Sequence, residues 1–309
     1  GYYYPDMKVN ETQFYNLSIP VYGCFTEHPE KFPHYHFHNN VDYKVINNKV
    51  SEILDNDISN RSNVILSDEF ISNLSQRALV EMKSRFEEMG FSLRVIAYVR
   101  EPYGLIVSNI QQRVVYRTNI KEAIDILTTK DPSSAKVEKL LTIFGSDIEF
   151  HCFEKACRFE GGPAAYFLNL LAIDLKRIDI KNVNESRSMP AIRLSSYINE
   201  QCPLFIRNQE LNFLRQKGDI YPLFDLKGDK FNVTTEERAI LEPFVRKERK
   251  HTQELLGENF FFPEKYHVND NWVWSQQEVN QLLKIIPKLA KNIQIRVYDY
   301  FFSINGSLF

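Results

Sequence analysis

The fold is decided by the stretch SLRVIAYVREPYGLIVSNI, residues 92–110. Residues 92–99 are mostly apolar, with an unbroken apolar run over 95–99, which predicts a strand and is the strongest strand signal in the chain. Pro102 follows directly, at a position where proline favours the first turn of a new helix. Apolar residues then recur at helical spacing as far as Val114. A strand that runs straight into a helix predicts part of a parallel sheet, which binds ligands at the carboxyl ends of its strands.

The segments on either side of this stretch also alternate between strand and helix patterns. A glycine at position 90 is well placed to end a helix, because glycine readily adopts the left-handed conformation after a last turn. The sequence predicts helices at 41–53, 75–89, 121–127, 135–144 and 164–171, and strands at 64–66 and 147–153. This order predicts an α/β fold with a parallel sheet flanked by helices.

The pattern after Pro190 is mostly helical. Helices are predicted at 234–257 and 276–288, and apolar residues that alternate over 293–301 predict a closing strand. We therefore expect residues 1–190 to form an α/β core. Residues 191–309 are expected to form a mostly helical C-terminal annex packed on it.

Composition limits the classes of function. A hydrophobic content of 43% with 25% charged residues is typical of a globular protein, and 309 residues suffice for one large domain. A net charge of −2 gives no sign of nucleic-acid binding. The four cysteines show no CxxC pair, and no apolar run is long enough to span a membrane. These features predict a reduced, cytoplasmic protein without a transmembrane segment, and they leave the oligomeric state open.

Arg100 and Ser108 are the first candidate ligand-binding residues. Arg100 directly follows the strand, and Ser108 lies about two turns into the next helix. A guanidinium and a hydroxyl can both donate hydrogen bonds to one phosphate group. The alternative is an ordinary strand–helix junction with a surface arginine.

An ordered series of segments resembles the sulfotransferase family, in which a strand-end Arg and a helix Ser bind the 3′-phosphate of the nucleotide donor. The resemblance covers roughly residues 1–190, and each segment is weak alone. It is carried by VILSDE (64–69), SNIQQRV (108–114), FGSDIEFHCFEKA (144–156), EGGPAAYFLNLLAID (160–174), NESRS (184–188) and, more faintly, ELLGENFF (254–261).

The resemblance implies a P-loop-kinase-like sheet and a sulfuryl donor, 3′-phosphoadenosine-5′-phosphosulfate. It points to the bacterial branch of the family, whose acceptors are glycans of lipopolysaccharide, capsule or exopolysaccharide. The family's loop around the 5′-phosphosulfate is not found among the 11 glycines of the sequence. In the family that loop lies just before a segment like GYYYP, residues 1–5, so we expect it and the first strand upstream of Gly1.

Glu69 and His36 are the candidates for the base that accepts the acceptor hydroxyl's proton. Glu69 follows the predicted strand 64–66 and resembles the family's strand-end acid; alternatively, it only begins the next helix. His36 is the central histidine of HYHFH, residues 34–38; alternatively, these histidines are surface or packing residues. Three imidazoles on one face of an extended segment suit Zn²⁺, but no fourth ligand is evident, so we expect no metal.

The polar loop at residues 184–188 supplies two further candidates. By resemblance it faces the nucleotide pocket, where Asn184 and Ser186 would bind phosphate or ribose; alternatively, it is a simple turn. The basic run 246–250 is typical of a solvated helix face; alternatively, it binds an acidic glycan. Two other functions remain open. One is an inactive relative that only binds a glycan or a protein partner, and the other is a nucleotide-dependent kinase or glycosyltransferase.

Overall fold

A computed structural model shows a mixed α/β protein that is mostly helical and has a small parallel sheet of two strands. The structure describes residues 1–5, 18–28, 43–67, 69–130, 132–180, 186–206, 210–216, 218–262, 268, 270 and 272–305. Among these residues, no helix is long and apolar enough to cross a membrane. The α/β class is therefore confirmed, with far more helix than sheet.

The described segments contain the following elements in chain order. The helices before the first strand are α1 (Ser18–Phe25), α2 (Tyr43–Ile53), which continues as a π-helical turn (Leu54–Ile58), and α3 (Gln76–Glu88). Next come β1 (Val95–Val99), α4 (Pro102–Tyr116), α5 (Ile120–Thr129), α6 (Ser133–Phe144) and β2 (Ile148–Cys152). The remainder is α7 (Phe153–Cys157), α8 (Gly162–Leu170), α9 (Met189–Gln201), α10 (Thr235–Leu256), α11 (Gln276–Ile285) and α12 (Lys291–Asn305).

The chain folds into two compact units. The first contains Gly1–Ala97 and Ser134–Phe150, and the second contains Tyr98–Ser133 and His151–Phe309. None of the boundaries between the two units lies at residue 190, where the sequence suggested a boundary. The division into a core and an annex stays a prediction.

Helix α3 organises the core of the first unit. Ser75 caps its start by accepting a hydrogen bond from the amide of Ala78 at 3.1 Å, and Gly90 follows its end with φ +84°. Leu79 and Phe86 are buried on one face, in a cluster that also contains Leu140 of α6. The helix predicted at 75–89 is therefore confirmed.

The strand predicted at 64–66 is wrong. Val64 forms a single parallel bridge with Tyr3, supported by hydrogen bonds from Tyr3 N to Asn63 O and from Ile65 N to Tyr3 O. An apolar run becomes a strand only when successive residues find a partner chain. Here the bridge supplies one partner residue, so the run stays irregular.

Strands β1 and β2 form the sheet, as predicted for residues 92–99 and 147–153. Near the start of both strands, Arg94 Nε lies 2.7 Å from Glu149 Oε1. Helix α4 follows β1 after two residues, with Pro102 in its first turn and the Glu101 side chain as its cap. The junction chosen from the sequence is thus a strand–helix unit.

Helix α4 is central to the second unit. Ile106, Ile110 and Val114 are buried along one face of α4, in a cluster with Met189 and Ile192 of α9. Backbone carbonyls at the end of α4 are hydrogen-bonded as well: the side-chain amide of Asn199 donates to Val114 O at 2.8 Å and to Thr118 O at 2.9 Å. The opposite face of α4 is left to carry polar residues.

The closing strand predicted at 293–301 is also wrong, because this segment is helix α12. Ile293, Val297 and Phe301 are buried at a spacing of four, in one cluster with α9 and α11. Ile295 is 57% exposed, although an alternating strand would bury it together with Ile293 and Val297. The packing surface offered by α9 therefore selects helical periodicity over alternation.

Candidate functional site

The candidate site is the junction between β1 and α4. Arg100 directly follows the strand, and the cap residue Glu101 comes next, with its carboxylate accepting a hydrogen bond from Gly104 N at 3.0 Å. The cap fixes the backbone of the first turn of α4. It thereby also fixes the backbone of the neighbouring Arg100, from which the side chain extends.

The Arg100 guanidinium lies against the first turn of α4. Its central carbon is 5.4 Å from the centre of the Phe153 ring, and Nε is 3.9 Å from Glu154 Oε1. A Cβ atom built on Gly104 would lie 3.5 Å from Arg100 Nε, so the side chain runs beside this glycine. Nε is buried and makes no hydrogen bond within the described part of the chain.

Ser108 lies on the same face of α4 as Gly104. Residues four apart on a helix are neighbours on its surface, so the half-buried Ser108 is one turn beyond the position that Arg100 contacts. Gln111 is three residues further on, and its Oε1 accepts a hydrogen bond from Arg187 N at 3.0 Å. We call the stripe formed by Gly104, Ser108 and Gln111 the polar face of α4.

The segment 186–189 meets the polar face of α4 at its far end. Its backbone is fixed from the other side, because Met189 N donates to Asp229 O at 2.6 Å and Phe231 N donates to Arg187 O at 3.0 Å. Ser186 is exposed next to Arg187, and Asn184 lies outside the described residues. The structure thus connects Arg100, Ser108 and the 186–187 segment along one helix face.

Arg187 was missed by the sequence reasoning. Its guanidinium is exposed and lies 5.2 Å from the centre of the Phe224 ring. The stacked ring limits the conformations of the side chain while leaving its donors accessible. The signal was present in the sequence, since Arg187 stands between the two serines of NESRS.

A network of charges fixes the backbone that carries Arg100. Both carboxylate oxygens of Glu154 are 3.2 Å from Glu101 N, and Arg249 Nη1 donates to Glu101 Oε1 at 3.1 Å. Arg249 also donates to Phe262 O at 2.6 Å. Arg249 belongs to the basic run 246–250, which was expected to face solvent. It instead makes hydrogen bonds within the protein.

The thiols near Arg100 are not activated. Desolvation raises the pKa of Cys157, the Glu154 charge raises it further, and the Arg100 charge opposes them. Burial likewise raises the pKa of Cys152. A nucleophilic cysteine needs a lowered pKa, so neither thiol has the environment of a nucleophile.

The candidate bases lie elsewhere in the chain. Glu69 is exposed in a bend of the first unit, two residues before a short 3₁₀ helix (Ile71–Asn73), and the α-helix that follows is capped by Ser75. His34, His36 and His38 lie outside the described residues. The roles of Glu69 and His36, and the expectation that the protein holds no metal, stay predictions.

Comparison with known proteins adds no relative to these observations: no family model, no curated protein and no solved structure matches the chain.

Proposed function

We propose that the protein is a sulfotransferase that moves a sulfuryl group from 3′-phosphoadenosine-5′-phosphosulfate to a hydroxyl of a bacterial surface or secreted glycan. The observation that supports this function best is the position of Arg100. It follows a parallel strand, and its side chain runs beside Gly104 in the first turn of α4, one turn before Ser108. The proposal includes a P-loop-kinase-like arrangement of the sheet.

The residues present fit the 3′-phosphate of this donor. Among the described residues, Arg100 Nε is buried without a hydrogen bond, and Oε1 of Glu154 lies 3.9 Å from it. A buried donor without a partner is costly, and a charge-assisted bond to phosphate would remove that cost. Ser108 would donate a second hydrogen bond, and the 186–187 segment would contact the rest of the nucleotide.

In this proposal the residues act by positioning. The donor supplies the sulfuryl group and a stable bisphosphate leaving group. Arg100 and Ser108 hold the nucleotide by a group that does not react, which orients the sulfuryl group for in-line attack by a sugar hydroxyl. Glu69 or His36 would accept the proton of that hydroxyl.

Calorimetric titration with 3′,5′-bisphosphoadenosine tests the nucleotide site. Arg100→Ala is expected to weaken binding by about 2–4 kcal/mol, the usual effect of removing one partner of a buried charge pair. Adenosine 5′-monophosphate lacks the 3′-phosphate, so its affinity should change little. The preference for the bisphosphate should therefore be lost in Arg100→Ala.

Arg94→Ala is the matched control. Arg94 stands at the other end of β1 and pairs with Glu149 at 2.7 Å, so this change removes an arginine from the same strand without touching the polar face of α4. It should bind the bisphosphate like the unchanged protein. Equal affinity of Arg100→Ala and Arg94→Ala would remove Arg100 from the site. Tight binding without sulfuryl transfer to any glycan would support the inactive relative instead.

A further inference from the structure

A cavity of about 350 Å³ lies in the second unit, between the 227–229 segment and the residues that lead into α11. Its volume falls in the range of pockets that hold small ligands. The residues that line it include Lys227, Asp229, Trp272, Ser275, Gln277 and Gln281. We call this space the Trp272 cavity. The nucleotide site proposed above does not use it.

The indole of Trp272 is held in place before any ligand arrives. Its Nε1 donates a hydrogen bond to Oε1 of the buried Glu278 at 3.3 Å. The ring also lies 5.4 Å from that of Trp274, centre to centre, and packs against the apolar cluster that contains α4. Trp272 therefore offers the cavity an aromatic surface in a fixed orientation.

The 227–229 segment is held equally well. Gln281 Oε1 accepts from Lys227 N at 2.9 Å, and Gln281 Nε2 donates to Lys227 O at 3.4 Å. A Cβ atom at Gly228 would overlap Glu278 Oε1, so any side chain there would displace the carboxylate that orients Trp272. Both walls are thus ordered in advance, which lowers the entropy cost of binding a ligand between them.

The charges of the Trp272 cavity do not suit an anion. Among the described residues that line it, one cation, Lys227, stands with two carboxylates, Asp229 and Glu278. The start of α11 is already capped, because Ser275 Oγ accepts from Glu278 N at 3.2 Å and Glu278 Oε2 accepts from Ser275 N at 2.8 Å. A phosphate or sulfate group would therefore meet net negative charge here.

The remaining polar groups suit a neutral molecule with many hydroxyls. The exposed Gln277 amide can both donate and accept, the Asp229 carboxylate accepts, and the Lys227 ammonium donates. A sugar ring carries hydroxyls on its edge, each able to donate and accept, and C–H groups on its face. Such a face packs well on an indole, whereas the edge needs the mixed donors and acceptors found here.

We propose that the Trp272 cavity binds a neutral sugar unit of a glycan. The sugar ring lies against Trp272, and its hydroxyls exchange hydrogen bonds with Asp229 and Gln277. The cavity is joined to the proposed nucleotide site through the backbone, because Asp229 O accepts from Met189 N at 2.6 Å, beside the segment that carries Arg187. That this sugar belongs to the acceptor glycan rests on the proposed function, whereas sugar binding itself does not.

An array of immobilised bacterial polysaccharides and neutral oligosaccharides, probed with the 309-residue chain, tests the proposal. The double variant Asp229→Ala with Gln277→Ala should bind the recognised neutral glycans about tenfold more weakly or worse, because two sets of hydrogen bonds are lost. In solution, a recognised oligosaccharide should also change the tryptophan fluorescence of the unchanged protein, since it covers Trp272.

The matched control is the double variant Asp225→Ala with Gln276→Ala. Asp225 is exposed four residues before Asp229, and Gln276 directly precedes Gln277 and donates to Asn280 Oδ1 at 3.1 Å. The control removes the same two residue types outside the lining of the cavity, so it should bind glycans like the unchanged protein. Unchanged circular dichroism would confirm that both double variants fold.

Three results would overturn the proposal: no neutral glycan bound by the unchanged protein, binding confined to anionic glycans, or equal loss in the two double variants. Added 3′,5′-bisphosphoadenosine should leave the glycan bound, and its displacement would assign the cavity to the nucleotide instead. Glycan binding that depends on Asp229 and Gln277, in a protein that does not bind the bisphosphate, would contradict sulfuryl transfer and still support the sugar site.

Discussion

Two isoleucines in α12 provide a direct test of its helical packing. Ile293 is fully buried, and Ile295, two residues later, is 57% exposed. The alternating strand that the sequence suggested would bury both on one face. Ile293→Ala and Ile295→Ala are the same chemical change, so any difference between their effects comes from the position alone.

The expected magnitudes follow from burial. Ile293 lies in the cluster formed by α9, α11 and α12, so its truncation removes buried contacts and leaves a cavity. Such changes cost about 2–5 kcal/mol of the free energy of unfolding. Truncating Ile295 removes contacts that are mostly with water, and alanine is a slightly better helix former than isoleucine. Its effect should stay within about 0.5 kcal/mol of zero.

Tryptophan fluorescence during urea unfolding measures this difference. The protein has two tryptophans, Trp272 and Trp274, and the Trp274 ring lies 5.0 Å from that of Phe301 in α12. The signal therefore reports on the unit that contains the substitutions. With a denaturant dependence of about 2–3 kcal/mol per molar urea, Ile293→Ala should lower the midpoint by about 1 M.

Similar large losses in both variants would refute the helical packing, because they would place Ile293 and Ile295 on one buried face. Negligible losses in both would show that this face of α12 is not part of the core. Only a large effect at Ile293 with a small one at Ile295 agrees with the structure.

Two further predictions concern single groups. If Glu69 is the base, Glu69→Gln should lower sulfuryl turnover by about 10²–10⁴-fold and leave donor binding unchanged. Normal turnover in Glu69→Gln together with lost turnover in His36→Ala would assign the base to His36. Burial raises the pKa of Cys24 to about 12, so iodoacetamide at pH 8 should label Cys24 far more slowly than the exposed Cys157. Mass spectrometry of the intact and digested protein measures both rates, and faster labelling of Cys24 would contradict its burial.

Local signals predicted the strand–helix unit around Arg100. Ser75, Gly90 and Pro102 act on their own turns of the backbone, so their effect can be recognised without knowing the rest of the fold. The continuous apolar run before Arg100 needs only one neighbouring strand, which β2 provides. The position of Arg100 at the carboxyl end of a strand followed from these features alone.

Only the tertiary structure decided the elements and contacts that depend on residues far away in the sequence. The apolar residues of 293–301 fit both strand and helix spacing, and only packing against α9 selects the helix. Within the described part of the chain, the 64–66 run pairs only through the bridge between Val64 and Tyr3. Arg249 is drawn from the solvated face by Glu101, which is far away in the sequence and accepts its hydrogen bond at 3.1 Å. The hydrogen bond from Arg187 N to Gln111 Oε1, on the polar face of α4, likewise joins residues far apart in the sequence. Caps and turns are encoded by neighbouring residues, whereas burial and ion pairing belong to surfaces that exist only after the chain has folded.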